Sequence, residues 1–230
     1  MARKSKHDKA TATATGSEEE KKVKEDYSDR TNQGVVLTGG IDSTVLLYSL
    51  KENLPEDTNI IPIVLGNNKK DIQPVLDELE IKAPIQKFNI DIDPEDDDES
   101  KMLPLIEWAL ENKVYAIYFP ANHDEQEHSI PGKTFDYFQR LNDLSGVSIT
   151  APFITVSKEK IIQDAVDRYN IDLSQLAEPP EFVEGIKISE SLFKIRQEGF
   201  KKAFSVKENK WIQDPFAEEK EKDKDEEKGE

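Results

Sequence analysis

Apolar and polar positions alternate along the chain in two rhythms. From Gly34 a short β-type run, Gly34–Thr38, is followed by an apolar stretch with helical spacing over Ser43–Asn53. The same couple then recurs. Asn59–Leu65 reads as a second strand, in which Pro62 requires a ladder position that needs no donor. Asp71–Glu80 places Ile72, Val75, Leu76 and Leu79 at helical spacing. Pro84–Ile90 reads as a third strand, Asp91–Ser100 as an acidic loop, and Leu103–Asn112 as a helix with Pro104 in its first turn. Val114–Phe119 is a fourth strand. Lys133–Leu144 reads as a helix and Val147–Ala151 as a short strand. Ser157 caps a helix carrying Ile161, Ile162, Ala165, Val166 and Tyr169, and Ile188–Phe204 forms a last helix. The Pro179-Pro180 region is a loop.

Alternating strands and helices in this order predict an α/β fold. The expected architecture is an open, mostly parallel sheet with helices on both faces, joined by right-handed crossovers. The second half is less regular and predicts a small helical C-terminal lobe from about residue 152. Residues 1–33 carry few large apolar side chains and residues 217–230 are almost wholly Glu, Asp and Lys, so both ends are expected to be disordered polar tails. The folded domain is then 34–216.

Composition narrows the function. The net charge is −17 and disfavours nucleic acid as a partner, because such a surface repels phosphates. No apolar run approaches the roughly 18–20 residues of a membrane span, and the basic, polar start lacks the apolar core of a secretory signal, so a cytoplasmic location is expected. There is no cysteine, hence neither a disulfide nor a thiolate metal site.

Candidate chemistry gathers where strands end, because ligands of parallel α/β sheets sit at the carboxyl edge. Thr38-Gly39-Gly40-Ile41-Asp42-Ser43-Thr44 follows the first strand and opens a helix. Glycine N–H groups, a helix N-terminus and three hydroxyls suit phosphate oxygens, and Asp42 suits a Mg²⁺ that bridges them. The same residues also fit a plain Asp/Ser helix cap after a Gly turn. The run is neither a Walker A loop nor a dinucleotide fingerprint. Leu65-Gly66-Asn67 follows the second strand, and Pro120–Lys133, with His123, Asp124, Glu127 and His128, follows the fourth. Two histidines among carboxylates also fit a mononuclear metal site.

The Thr38–Thr44 loop resembles the Ser-Gly-Gly-x-Asp-Ser-Thr loop of the PP-loop, or N-type, ATP pyrophosphatases (adenine nucleotide alpha hydrolase-like fold), with Thr38 in place of the first Ser. Further segments resemble the 7-cyano-7-deazaguanine synthase branch of that superfamily. They are Gly66-Asn67; Ala121-Asn122, Asp124, His128, Ile130 and Pro131; Pro152 with Ser157-Lys158; and Arg196 through Ala203 with Asp214-Pro215. The resemblance spans about Gly34 to Pro215. It implies a ligase using ATP and Mg²⁺ to convert 7-carboxy-7-deazaguanine and ammonia to the nitrile through an acyl-adenylate, as in queuosine-type biosynthesis. It implies Asp42, Ser43 and Lys158 as catalytic residues. Thr38, Gly39, Gly40, Ile41, Asp42, Ser43, Thr44, Leu65, Gly66 and Asn67 would bind nucleotide, and Asn122, Asp124, His128, Lys133 and Arg196 would bind substrate.

The family's zinc cysteines are replaced here by Lys187, Glu190 and Phe193, so zinc is not expected, and packing by Ile188, Leu192, Phe193 and Ile195 is expected in its place. Met102–Ile106 stands where the family carries an Arg-Asn pair. Two alternatives stay open: an enzyme that stops at the amide or adenylates another carboxylate, and a degenerate nucleotide-binding or scaffold protein. Partners are expected to be small molecules; a homodimer is left open.

Overall fold

A computed structural model describes residues 31–66, 71–90, 98–173 and 190–203, with side chains omitted for 190–193. Residues 1–30 of the expected N-terminal tail, the expected C-terminal tail, the Pro179-Pro180 loop, Asn67, Lys187, Ile188 and Asp214-Pro215 lie outside the described residues, as do the side chains of Glu190, Leu192 and Phe193.

Five strands form one sheet in the order β3-β2-β1-β4-β5, and every pairing is parallel. They are β1 (Asn32–Val36), β2 (Asn59–Leu65), β3 (Gln86–Phe88), β4 (Val114–Tyr118) and β5 (Ser148–Thr150). The helices between them are α1 (Ile41–Asn53), α2 (Gln73–Glu78), α3 (Leu103–Glu111), α4 (His123–Glu127) and α5 (Phe135–Leu144). Beyond the sheet follow α6 (Lys158–Asp167) and α7 (Glu190–Ala203).

Side-chain alternation on the strands divides the core between the two faces. Val35 of β1, Leu37 just after it, and Ile60 and Val64 of β2 pack with Leu46, Leu47 and Leu50 of α1 and with Leu76 of α2. Val36, Ile61, Ile63 and Leu65 point the other way, onto Leu105, Ile106 and Ala109 of α3 and Tyr137, Phe138 and Leu141 of α5. The sheet is thus covered on both faces, as an all-parallel sheet requires.

The far side of α1 is also covered. Ile41 and Val45 pack with Ile161, Ile162 and Ala165 of α6 and with Phe200 of α7. This double burial explains why α1 is apolar around most of its circumference rather than along one stripe. Ile195, expected to pack in the absence of zinc, is buried.

Pro62 sits where its missing donor costs nothing. Ile63 faces β1, since its carbonyl accepts from Leu37 N at 2.8 Å, so Pro62 faces the other flank. On that flank β3 begins pairing only at Ile63.

Two element assignments change. Strand β1 begins at Asn32, not Gly34, because the polar Asn32-Gln33 pair extends the ladder. The Asn59 side chain donates to Asn32 Oδ1 at 2.9 Å, so polarity here marks the end of a strand rather than a loop. The segment after β4, to which the apolar spacing assigns no element, contains α4, a single turn too short and too polar to show a periodicity. No helix among the described residues is long and apolar enough to cross a membrane.

Candidate nucleotide site at the carboxyl edge of the sheet

Strand β1 ends in a turn that glycine makes feasible. Gly39 has φ +69°, a left-handed conformation that side chains disfavour. Gly40 is the N-cap of α1 and supplies no side-chain cap. Neither Asp42 nor Ser43 caps the helix, so the plain Asp/Ser cap reading does not describe this turn. Instead the loop is braced from within. Gly40 O accepts from Ser43 Oγ and Thr44 Oγ1, both at 3.0 Å, and from Thr44 N at 3.1 Å. Ser43 Oγ also accepts from Thr38 N at 3.2 Å, and Thr38 Oγ1 accepts from Gly40 N at 3.3 Å. Ser43 and Thr44 are buried while Thr38 is exposed. The two buried hydroxyls therefore set the shape of the cradle, and Thr38 is the hydroxyl that faces outward. Ile41 is buried in the contact with α6 and α7, so it anchors the loop.

Asp42 stands at the centre of the polar groups. Its Oδ2 accepts from Lys158 Nζ at 2.5 Å and from Asn122 Nδ2 at 3.3 Å. Its Oδ1 is buried with no hydrogen-bond partner. Such an atom fits Mg²⁺, which takes one or two carboxylate oxygens and completes its shell with substrate phosphates and water. No cluster of three or more His, Asp or Glu side chains able to hold a metal occurs among the described residues.

Asn122 follows β4 and is fully buried. Its Oδ1 accepts from Glu125 N, while Glu125 Oε2 accepts from Asn122 N, each at 3.1 Å, forming a capping box on α4. Glu125 also holds Lys133, whose Nζ donates to Oε1 at 2.6 Å. Burial acts to lower the Lys133 pKa, but the charge and hydrogen bond of Glu125 and the charge of Asp42 outweigh it, and the net direction is up. Lys133 is thus held as an ammonium within the field of Asp42. Asp124 serves the opposite wall. Its Oδ2 accepts from Lys158 N at 2.5 Å, and His123 N donates to Val156 O at 3.0 Å, so α4 is tied to the start of α6.

The structure therefore gathers Asp42, Asn122, Asp124, Lys133 and Lys158, from segments 116 positions apart at the extreme. The remaining candidates make other contacts. His128 is exposed, and its Nδ1 lies 2.7 Å from Asp124 O of its own helix. Among the described residues the His123 ring pairs with Glu127, at 4.0 Å, and the two histidines do not converge on a metal. The Leu65 side chain belongs to the core, which leaves its backbone for any ligand contact. Gly66 turns the chain after β2 with φ +65° and donates to Phe88 O at 2.8 Å. Arg196 lies over the Phe200 ring at 5.6 Å. Sequence reasoning missed Glu125, although Asn122-x-x-Glu125 is a capping-box pattern that announces both the helix and the buried carboxylate.

No protein-family model matches the chain, and no curated protein sequence does. Among solved structures, the U34-tRNA thiolase NcsA of Methanococcus maripaludis, which carries a [4Fe-4S] cluster, shares 14% identity at a TM-score of 0.47. The match covers 76% of this chain and 66% of that one, just under two thirds. A predicted subunit of a tRNA methyltransferase from Methanocaldococcus jannaschii shares 15% identity at a TM-score of 0.43, over 58% of this chain and 73% of that one. The NH3-dependent NAD synthetase of Campylobacter jejuni, in complex with nitrate, shares 12% at a TM-score of 0.45, over 64% of this chain and 68% of that one. Likeness at this level carries no argument about activity; the α/β fold rests on the chain's own sheet order and its helices on both faces.

Proposed function

We propose that the chain is an ATP-dependent enzyme of the PP-loop type that activates a carboxylate by adenylation, with 7-carboxy-7-deazaguanine and ammonia as substrates and 7-cyano-7-deazaguanine as product. The observation that carries the reading is Asp42 at the start of α1, one oxygen paired with Lys158 and the other buried and unpartnered, beside the uncapped Gly39-Gly40 turn. An uncapped helix start and a lysine suit a pyrophosphate group that gains charge as it leaves. Mg²⁺ held through Asp42 Oδ1 would add further neutralisation of that charge. The resemblance of 34–215 to the deazaguanine branch supports the choice of substrate.

In this reading the substrate carboxylate oxygen attacks the α-phosphorus of ATP, and the bond to pyrophosphate breaks. Ammonia attacks the acyl carbon, AMP leaves, and a proton is lost to give the amide. The amide oxygen attacks the α-phosphorus of a second ATP, and pyrophosphate leaves again. Loss of AMP and of both protons of the amide nitrogen then leaves the nitrile. Lys158 and the α1 N–H groups contact the phosphates, and Lys133 and Asn122 line the substrate side. Chain groups bind, orient and neutralise, and none becomes covalently bonded to substrate.

Liquid chromatography of a reaction containing 7-carboxy-7-deazaguanine, ATP, Mg²⁺ and ammonium tests this. Nitrile, with AMP and pyrophosphate, is the expected result. Amide alone would restrict the reading to the first half of the sequence. Neither product, with Mg-ATP still bound, would overturn the deazaguanine assignment.

A further inference from the structure

Lys158 is held at three points. Its ammonium meets Asp42 at 2.5 Å, and its backbone N–H meets Asp124 Oδ2 at 2.5 Å. The third point is an absence of atoms. A Cβ placed on Gly199 of α7 would stand 2.5 Å from Lys158 Cγ, 3.0 Å from its Cβ and 3.2 Å from Ile162 Cδ1. The glycine lets α7 lie directly against the stem of Lys158, a residue 8% exposed. The atom it would strike sits near the root of the side chain. Moving Cγ changes the first torsion and swings the whole stem, so the clash cannot be absorbed at a flexible tip.

We propose that Gly199 is a positioning residue. By omitting a side chain, α7 fixes the torsion of Lys158 and so aims its ammonium at Asp42. This deepens the reading of Lys158 as a phosphate-contacting residue and rests on it. Helix propensity gives the opposite sign to sterics here. In an exposed helix interior Gly→Ala is stabilising, whereas this geometry makes Gly199→Ala harmful.

The experiment compares wild-type, Gly199→Ala, Lys158→Ala and the double variant as full-length chains. Brief acetylation with an anhydride, mapped by mass spectrometry, reads the amine directly, with exposed Lys160 as internal reference. In the wild type Lys158 is expected to react at least about tenfold more slowly than Lys160, as a buried paired ammonium does. In Gly199→Ala the two rates should come within about threefold, as the freed amine enters water. The kcat of pyrophosphate release should fall about a hundredfold, as for a misplaced group, with the KM for ATP little changed.

Equal protection of Lys158 in wild type and Gly199→Ala would overturn the proposal. If Gly199→Ala does not fold, the double variant decides. Folding with a Tm near that of Lys158→Ala supports the steric coupling, and failure to fold refutes it. Because labelling needs no turnover, a wild type without pyrophosphate release would count against the proposed function and leave this test intact.

Discussion

The two oxygens of Asp42 are unequal, Oδ2 accepting two hydrogen bonds and Oδ1 buried without a partner. Asp42→Ala should lower the rate of pyrophosphate release by about 10²–10³-fold, the scale of losing a preorganised charge-stabilising group. The chain should still fold, since α1 keeps its apolar contacts on both sides. Initial rates alongside circular dichroism check this; a folded variant with full activity would refute the assignment. Lys133 gives a pH prediction. Its pKa is raised in the fold, so its contribution is fully present below the ordinary lysine value of about 10.4 and is lost as pH rises through the folded value. Glu125→Gln removes the principal charge responsible. Thermal melts at rising alkaline pH should show a shallower loss of stability in Glu125→Gln than in the wild type. An unchanged slope would mean that the pair contributes nothing there. The types of Asp42, Asn122 and Lys158 were legible from motif resemblance. Which atom each one touches was not, because a rotamer is decided by neighbours remote in sequence.

At the scale of elements, α4 joins two functions in one residue. Asn122 caps the helix through Oδ1 and reaches Asp42 through Nδ2. Asn122→Ala loses both contacts and should cost about 0.5–2 kcal/mol from the cap alone. Asn122→Asp keeps the capping acceptor but sets a carboxylate oxygen against Asp42. Urea titration should therefore find Asn122→Asp restoring little of the loss, while a stability equal to wild type would show that the cap alone matters. The long elements could be read from apolar spacing, since β2 over Asn59–Leu65 and the Ser157 cap of α6 fall where expected. The ends of β1 and the single turn of α4 could not. Asn32 and Gln33 join the ladder through neighbouring strands, and a five-residue helix is too short to carry a periodic signal.

For the whole molecule, a net charge of −17 makes compactness electrostatically costly. Raising NaCl from about 10 mM to about 0.5 M shortens the screening length severalfold and should raise Tm by at least about 3 °C, a shift of roughly 1 kcal/mol for a chain of this size. Differential scanning calorimetry checks it, and a falling Tm would show that attractive surface pairs outweigh the net repulsion. The same charge underlies the proposal that the ligand at the carboxyl edge is a small anion rather than a long polyanion.

The sequence by itself determined the alternation of strands and helices, and with it a parallel sheet whose carboxyl edge is where such sheets bind ligands. These follow from local periodicity and from the handedness of crossovers. It also determined the glycine turn, because left-handed backbone at Gly39 is a local property. Only the tertiary structure decided that Asp42 meets Asn122 and Lys158, 80 and 116 positions away. It also decided that Ser43 and Thr44 brace the loop, and that Gly199 makes room for a lysine stem. Those contacts arise when α1, α4, α6 and α7 are packed together, and no pattern along the chain encodes the distance between side chains that meet only in the fold.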